Sequence, residues 1–189
     1  FYLVKVEAVR IGDSPAAPLL TLIVGPSVEA KEAGRAKQDM AERDSIRKQW
    51  WTQLLQLPEA KLHAHITPSR SGWIGASSGV PGLNNNYSVL KTDCGVELYI
   101  DLGKDSEGRN EIIFDQLQRS KSEIEKNITF PISWERLDGR RACRLRINLP
   151  GGYHSPEDQW LGIHKEMTKA MTQLVAVLKP YLQTLRVGS

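Results

Sequence analysis

Two short segments on either side of an Asp-Gly pair place the strongest constraint on the fold. Residues 131–137 and 140–149 have the composition of strands, and Asp138 and Gly139 lie between them. Asp-Gly is a favoured two-residue turn of antiparallel hairpins, because both positions accept positive φ. We therefore predict a β-hairpin here. A hairpin alone is marginally stable in water, so further strands or a covering helix are expected.

Other segments supply those strands. Residues 61–67 alternate between polar and apolar side chains, and residues 72–75 continue in an extended form. Residues 87–92 and 96–102 flank Asp93-Cys94-Gly95, which predicts a second hairpin with its turn at those three residues. With the hairpin of residues 131–149, these segments predict an antiparallel sheet of about five strands.

Three helices are predicted around this sheet. Residues 37–57 and 107–127 place apolar residues at helical spacing. Residues 155–185 begin with Ser155 as a predicted N-cap and Pro156 at the first helical position, and Pro180 predicts a kink. Helices that are segregated on one antiparallel sheet define the α+β class, which is the predicted fold class.

The first residues predict a separate piece of structure. Residues 1–10 and 19–24 are apolar runs on either side of a Gly-Asp-Ser-Pro turn, and the chain lacks an initiator Met. We expect residues 1–26 to be the C-terminal hairpin of an upstream domain, so that the chain is a fragment. Residues 27–36 are a polar connector, predicted as a linker. Residues 37–189 are predicted as an α+β accessory domain.

Composition excludes several classes of protein. No apolar run approaches the length of a membrane span, and the N-terminus lacks the pattern of a signal peptide, so we expect a cytoplasmic protein without membrane contact. Cys94 and Cys143 have no metal or disulfide spacing and are expected to be free thiols. The net charge of +3 is too small to establish nucleic-acid binding by itself.

The outward positions of the predicted sheet are the main candidate site. They are Lys61, His63 and His65 on one strand, Glu97, Tyr99 and Asp101 on another, and Arg140, Arg144 and Arg146 on the last hairpin. One interpretation is a nucleic-acid surface, in which the arginines contact phosphates and Tyr99 or a tryptophan stacks on bases. The other is a solvated face, in which Glu97 and Asp101 pair across strands with Arg144 or Arg146.

The glycine- and serine-rich residues 69–82 lack the Gly-Lys-Ser or Gly-Lys-Thr ending of a phosphate-binding loop. We interpret them as a flexible connection anchored by Trp73, with Arg70 as a candidate binding residue. The run of Asn84, Asn85 and Asn86 predicts a turn. The His63-x-His65 pair has strand spacing suited to a metal, but no further ligand is apparent, so no metal site is predicted.

The last helix offers a second kind of surface. Its apolar residues alternate spacings of four and three, like a coiled-coil seam, and further apolar residues widen the stripe. The seam residues are Trp160, His164, Met167, Met171, Leu174, Leu178, Tyr181 and Leu185. Packing on the sheet and the first helix is one interpretation, and a homodimer seam is the other.

Five motifs between about residues 49 and 182 resemble a domain-of-unknown-function family of bacteria, archaea and phages. They are Trp50-Trp51-Thr52-Gln53-Leu54-Leu55, Ser71-Gly72-Trp73, Val96 to Asp101, Ile132 to Leu137 and Arg140 to Arg146. The resemblance implies an upstream nuclease domain of the restriction-endonuclease-like PD-(D/E)XK type, with the first hairpin as its tail. Mg²⁺ would then be bound upstream.

No catalytic residue of such a nuclease is expected in this chain. Glu97 and Asp101 share a strand face, but Tyr99 occupies the position where a Glu-x-Lys pattern needs lysine. We expect a noncatalytic domain of a nuclease-like protein that helps to bind or position DNA or RNA through Arg140, Arg144, Arg146, Lys61, Tyr99 and Arg70. The alternative is a dimerisation or protein-interaction domain without nucleic-acid contact.

Overall fold

The structure is a computed structural model that describes residues 3–24, 28–104, 106, 108–137 and 139–185. The chain divides into two compact units, residues 1–43 and 44–189. The first unit contains the antiparallel hairpin of β1 (Leu3–Val9) and β2 (Ala17–Val24), as predicted. Its assignment to an upstream domain stays a prediction.

Helix α1 (Val28–Leu55) runs from the first unit into the second. It begins well before residue 37, so the described residues of the predicted linker are helical. The cause is local composition, because residues 28–36 are mostly alanine, glutamate, lysine and arginine, which are good helix formers. Ser27, the first residue of the predicted linker, and residues 25–26 before it lie outside the described residues.

The second unit is built on a five-stranded antiparallel sheet in the order β3-β4-β5-β7-β6. The α+β fold class is confirmed. The strands are β3 (Trp73–Ser77), β4 (Leu83–Val89), β5 (Asp93–Ile100), β6 (Ser133–Glu135) and β7 (Cys143–Pro150). The predicted hairpin of residues 87–102 is confirmed, but its turn lies at residues 90–92, where the Leu90 amide donates to the Asp93 carbonyl at 2.7 Å.

One strand prediction and one turn prediction were wrong. Residues 61–67 do not form a strand, because Pro58 starts a 3₁₀ helix, Pro58–His63, whose three-residue period buries Ala60 and His63 on one side. The Asn84–Asn86 run is strand rather than turn. The inward positions of β4, Leu83, Asn85, Tyr87 and Val89, continue the alternation through the asparagines, and pairing to β3 and β5 overrides their turn preference.

The hairpin of residues 131–149 is confirmed, but with a longer connection. Strand β6 ends at Glu135 and β7 begins at Cys143. Leu137 and Gly139 both have positive φ, so the chain leaves strand geometry before the predicted two-residue turn. Asp138 lies outside the described residues.

One face of the sheet is covered by helices. Helices α2 (Arg109–Gln118) and α3 (Lys121–Lys126) lie between β5 and β6 in the chain, and α4 (Glu157–Thr184) follows β7. The predicted helix of residues 107–127 is interrupted at Arg119 and Ser120, although its inward residues are buried as expected; Glu107 lies outside the described residues. Helix α4 begins one residue later than predicted, with Pro156 at the N-cap.

The core lies between the sheet and these helices. The inward residues of the three central strands are almost fully buried, among them Val96, Leu98 and Leu145. On the helical side, the Trp50 and Trp160 rings pack edge to face, with their centroids 5.0 Å apart. Helix α4 therefore packs against both the sheet and α1, as one interpretation of its apolar stripe predicted.

Candidate functional site

The other face of the sheet carries no helix and is polar; we call it the open face. Because side chains alternate along a strand, the register places every second residue of each strand on this face. These residues are Trp73, Gly75 and Ser77 of β3, Asn84, Asn86 and Ser88 of β4, Asp93, Gly95, Glu97 and Tyr99 of β5, Arg144, Arg146, Asn148 and Pro150 of β7, and Ser133 and Glu135 of β6.

A buried carboxylate lies at the centre of the open face. Glu97 is only 5% exposed, and its Oε2 accepts hydrogen bonds from Arg144 at 3.2 Å and from Arg146 at 3.1 Å. Arg144 also pairs with Glu135 at 2.7 Å. The predicted cross-strand pairing of Glu97 with these arginines is therefore confirmed. Both guanidinium groups are already neutralised by neighbouring carboxylates.

Arg146 is held in place by the sheet itself. Its guanidinium donates to Asn148 Oδ1 at 2.6 Å and to Ser88 Oγ at 2.8 Å, and the residue is almost completely buried. A Cβ at Gly95 would come within 3.0 Å of this guanidinium and 2.6 Å of a backbone oxygen. Glycine at position 95 therefore lets the Arg146 side chain lie flat across the sheet.

Next to this ion-pair centre is a cavity of about 650 Å³, the open-face cavity. Three arginines and two carboxylates line it, together with two aromatic rings and two asparagines. The lining residues are Trp73, Asn84, Asn86, Glu97, Tyr99, Asp101, Leu137, Arg140, Arg141, Ala142 and Arg144. The formal charges of the lining residues sum to +1.

The edge of the cavity is built from the segment that precedes β7. Arg141 pairs with Asp101 at 2.5 Å, and this hydrogen bond holds the pKa of the Asp101 carboxyl below its usual value. The Arg141 carbonyl accepts from the buried Asn110 amide at 2.8 Å, and Asn110 also accepts from the Leu102 amide. Asn110 thus fixes the backbone next to Arg140, whose exposed side chain makes no ion pair with a described residue.

Two aromatic side chains are available at the cavity. Trp73 is 57% exposed, so it does not anchor the glycine-rich segment as predicted. Its position on β3 turns it to the open face, away from the core. Tyr99 is half-buried, and burial, assisted by the charges of Asp101 and Glu97, raises the pKa of its hydroxyl, which therefore stays protonated at neutral pH. Both rings can stack on a planar ligand.

Asn86 lies on the floor of the cavity and is 5% exposed. Its Nδ2 donates to Glu97 Oε1 at 3.4 Å, while its Oδ1 is buried and accepts no hydrogen bond within the described part of the chain. A Cβ at Gly75 would overlap that oxygen and would lie 3.4 Å from Trp73 Cζ3. Glycine at position 75 therefore makes room for the Asn86 amide.

The predicted site residues do not all come together. Arg140, Arg144 and Tyr99 line the cavity, whereas Lys61, Arg70 and Arg146 do not. Lys61 was placed on the sheet face by a strand that does not exist, and it lies on the 3₁₀ helix instead. Asp101 pairs with Arg141 rather than with Arg144 or Arg146.

Sequence reasoning missed the asparagines and Arg141. Asn84 and Asn86 were assigned to a turn, and Arg141 was placed on the opposite face because the strand was expected to begin at residue 140. The signal that could have identified the asparagines is the alternation of Tyr87 and Val89, which extends backward through Asn85 to Leu83.

The two histidines of the His63-x-His65 pair differ in burial. His63 is buried, and its Nε2 donates to the Asn85 carbonyl at 2.8 Å, whereas His65 is exposed. Burial lowers the pKa of His63. Across residues 3–24, 28–104, 106, 108–137 and 139–185, no group of three or more His, Cys, Asp or Glu residues is placed to bind a metal.

The predicted dimer seam is largely occupied within the chain. Trp160, His164, Met167, Met171, Leu174 and Leu178 are buried, and Tyr181 and Leu185 are half-buried. Leu161 is the large apolar residue that α4 exposes among the described residues. A homodimer stays a prediction.

Within the described residues, no helix is long and apolar enough to span a membrane. Residues 46–182 match the family model of a domain of unknown function, DUF4268. The match covers more than half of the chain, so the chain belongs to this family. No curated protein and no solved structure matches the chain.

Proposed function

We propose that this DUF4268 domain binds single-stranded nucleic acid on its open face, performs no chemistry itself, and positions the strand for a nuclease activity elsewhere in the same protein. The observation that carries the proposal is the open-face cavity, in which two accessible aromatic rings lie beside uncovered arginine at the edge. Aromatic stacking and basic contacts together are the usual basis of single-strand binding.

The size of the cavity supports a single strand rather than a duplex. Its volume of about 650 Å³ falls in the range of sites that enclose one small planar ligand. A duplex keeps its bases stacked inside, so only an unpaired base can enter such a cavity. Trp73 and Tyr99 are the rings that would contact it.

The charges support a division of roles among the arginines. Arg144 and Arg146 share Glu97 and are held by further hydrogen bonds, so they form the ion-pair centre beside the cavity. Arg140 has an exposed guanidinium, and Arg141 is half exposed at its pair with Asp101. Phosphate contact is therefore assigned to Arg140 and Arg141, at the edge where a backbone would pass.

The nuclease context is supported by the first unit. Val4, Val6, Leu20 and Leu22 pair on one face of the β1–β2 hairpin, and all four are exposed. An amphipathic hairpin usually buries such a face against a further layer of structure. This favours a larger upstream domain, and its nuclease character is what the family resemblance implies.

A salt titration tests the proposal. The 189-residue chain and an Arg140→Ala variant are titrated with labelled single-stranded and duplex DNA and RNA, by fluorescence anisotropy and with Mg²⁺ present. We expect salt-dependent binding to single strands without cleavage. Loss of one phosphate contact should reduce the slope of log affinity against log salt by about 0.7.

Lys165→Ala is the matched control, because Lys165 is exposed on α4, the helix that covers the opposite face of the sheet. For this variant, the slope of log affinity against log salt should equal that of the unmodified chain. The proposal is wrong if the chain fails to bind any strand at low salt, or if Arg140→Ala leaves the slope unchanged. Cleavage would refute the absence of chemistry.

A further inference from the structure

We propose that Asn86 selects nucleobases that carry an exocyclic amine beside a ring nitrogen acceptor, as adenine and cytosine do. This inference rests on the proposed function and adds base selectivity to it. The carrying observation is a buried amide on the floor of the open-face cavity, whose oxygen has no hydrogen-bond donor among the described residues.

The orientation of the Asn86 amide follows from its neighbour. Ionised Glu97 can only accept hydrogen bonds, so it must face the Nδ2 group of Asn86 and not the Oδ1. One N–H of Nδ2 is then directed to Glu97 Oε1. The edge that remains consists of the Oδ1 acceptor and the second N–H donor, side by side.

This edge is maintained at a cost to stability. A buried acceptor without a donor is destabilising, and native structures rarely retain one without a reason. Gly75 makes room for the oxygen itself, since a Cβ at that position would overlap it. The unpaired oxygen therefore lies against Gly75 of the neighbouring strand, a residue without a Cβ.

The chemistry of the edge specifies its ligand. An acceptor beside a donor is complementary to an amine beside a ring acceptor, and asparagine forms this bidentate pair with adenine N6 and N7. Thymine and hypoxanthine have no exocyclic amine and present a carbonyl oxygen opposite Oδ1. Guanine does the same at its Watson–Crick and Hoogsteen edges, and its amine adjoins a ring acceptor only at N3, on the sugar edge. Because the Asn86 oxygen is buried and the Trp73 ring lies next to Gly75, binding requires this exposed ring to turn aside, and it can then stack on the base.

The test uses labelled oligothymidine strands that differ in one central nucleotide, dA, dC, dI or dG. Adenine and hypoxanthine form the matched pair, because they have nearly the same shape and differ at the amine. We expect dA to bind at least about fivefold more tightly than dI, and dC more tightly than the dT background. If only dA is preferred, N7 rather than the shared amine pattern is recognised, and the inference fails for cytosine.

Two variants locate the selectivity. Asn86→Leu should bind dA and dI equally while retaining affinity for the oligothymidine background. Gly75→Ala should do the same by displacing the amide, so the result does not depend on one variant folding. Lys165→Ala is again the control, because Lys165 is exposed on α4, on the opposite side of the sheet from the cavity. It should keep the preference for dA.

Equal binding of all four strands with a normal salt slope would overturn this inference and leave the proposed function standing. A preference for dA that survives both Asn86→Leu and Gly75→Ala would also overturn it. Absence of binding to every strand would overturn both proposals.

Discussion

The two faces of the five-stranded sheet bury different kinds of side chain. The face toward the helices buries Val96, Leu98 and Leu145, whose removal from water stabilises the fold roughly in proportion to the apolar area. The open face buries Glu97 and Arg146, and the desolvation of such charges offsets most of the attraction between them. The apolar residues buried on the helical face are explained by their contribution to stability. The charges buried on the open face are not, and this favours a binding role for that face.

The largest effect is expected on the helical face. Leu98→Ala leaves a cavity in a fully buried position and should lower the free energy of unfolding by about 2–5 kcal/mol. Urea denaturation followed by circular dichroism measures this loss. A loss below about 1 kcal/mol would show that the helical face does not supply the main stability of the unit.

A smaller effect is expected at the centre of the open face. Glu97→Gln removes the charge shared by Arg144 and Arg146, but leaves Arg144 its contact with Glu135. We expect a loss of about 1–3 kcal/mol in the same denaturation experiment. Glu123→Gln is the control, since its pair with Lys126 is exposed and should contribute less than about 1 kcal/mol. Equal losses for both variants would contradict a structural role for the Glu97 centre.

A buried histidine on the helical face should also make the free energy of unfolding depend on pH. His164 packs edge-to-face against Trp50, and burial lowers its pKa from about 6.5 to about 4. The unfolded chain therefore binds more protons than the folded chain between these values. Stability should be fully present above pH 6.5 and should fall by at most about 1.4 kcal/mol per pH unit toward pH 4.

Denaturation midpoints across this pH range check the prediction, with His164→Leu as the comparison. The variant should lose part of the acid dependence, because it removes the buried imidazole. The same slope with and without His164 would mean that other groups produce it.

Sequence reasoning predicted the fold class, the order of most elements and the shared face of Glu97, Tyr99, Arg144 and Arg146. It succeeded where alternation was long, as from Val96 to Ile100, because an alternating run of that length is typical of a strand and not of a helix. It failed at residues 61–67, where a few alternating residues fit a 3₁₀ helix equally well. It also failed at Asn84–Asn86, because pairing with two neighbouring strands decided the conformation.

The candidate site was predicted only in part. The cross-strand pairs of Glu97 followed from charge and alternation, since both signals lie within single strands. The cavity did not, because it depends on the connection between β6 and β7 and on the register that brings Asn86 beside Glu97. Register and connection geometry are tertiary properties that no single segment specifies.

The five tryptophans report on the two faces separately, so their indole N–H signals provide the most direct test. In a ¹H–¹⁵N correlation spectrum, titration with a single-stranded oligonucleotide should shift the signal of Trp73, which is on the open face. The signals of Trp50, Trp51 and Trp160, which are buried on the helical side, should stay in place. An unmoved Trp73 signal, or larger shifts in the buried tryptophans, would contradict nucleic-acid binding on the open face.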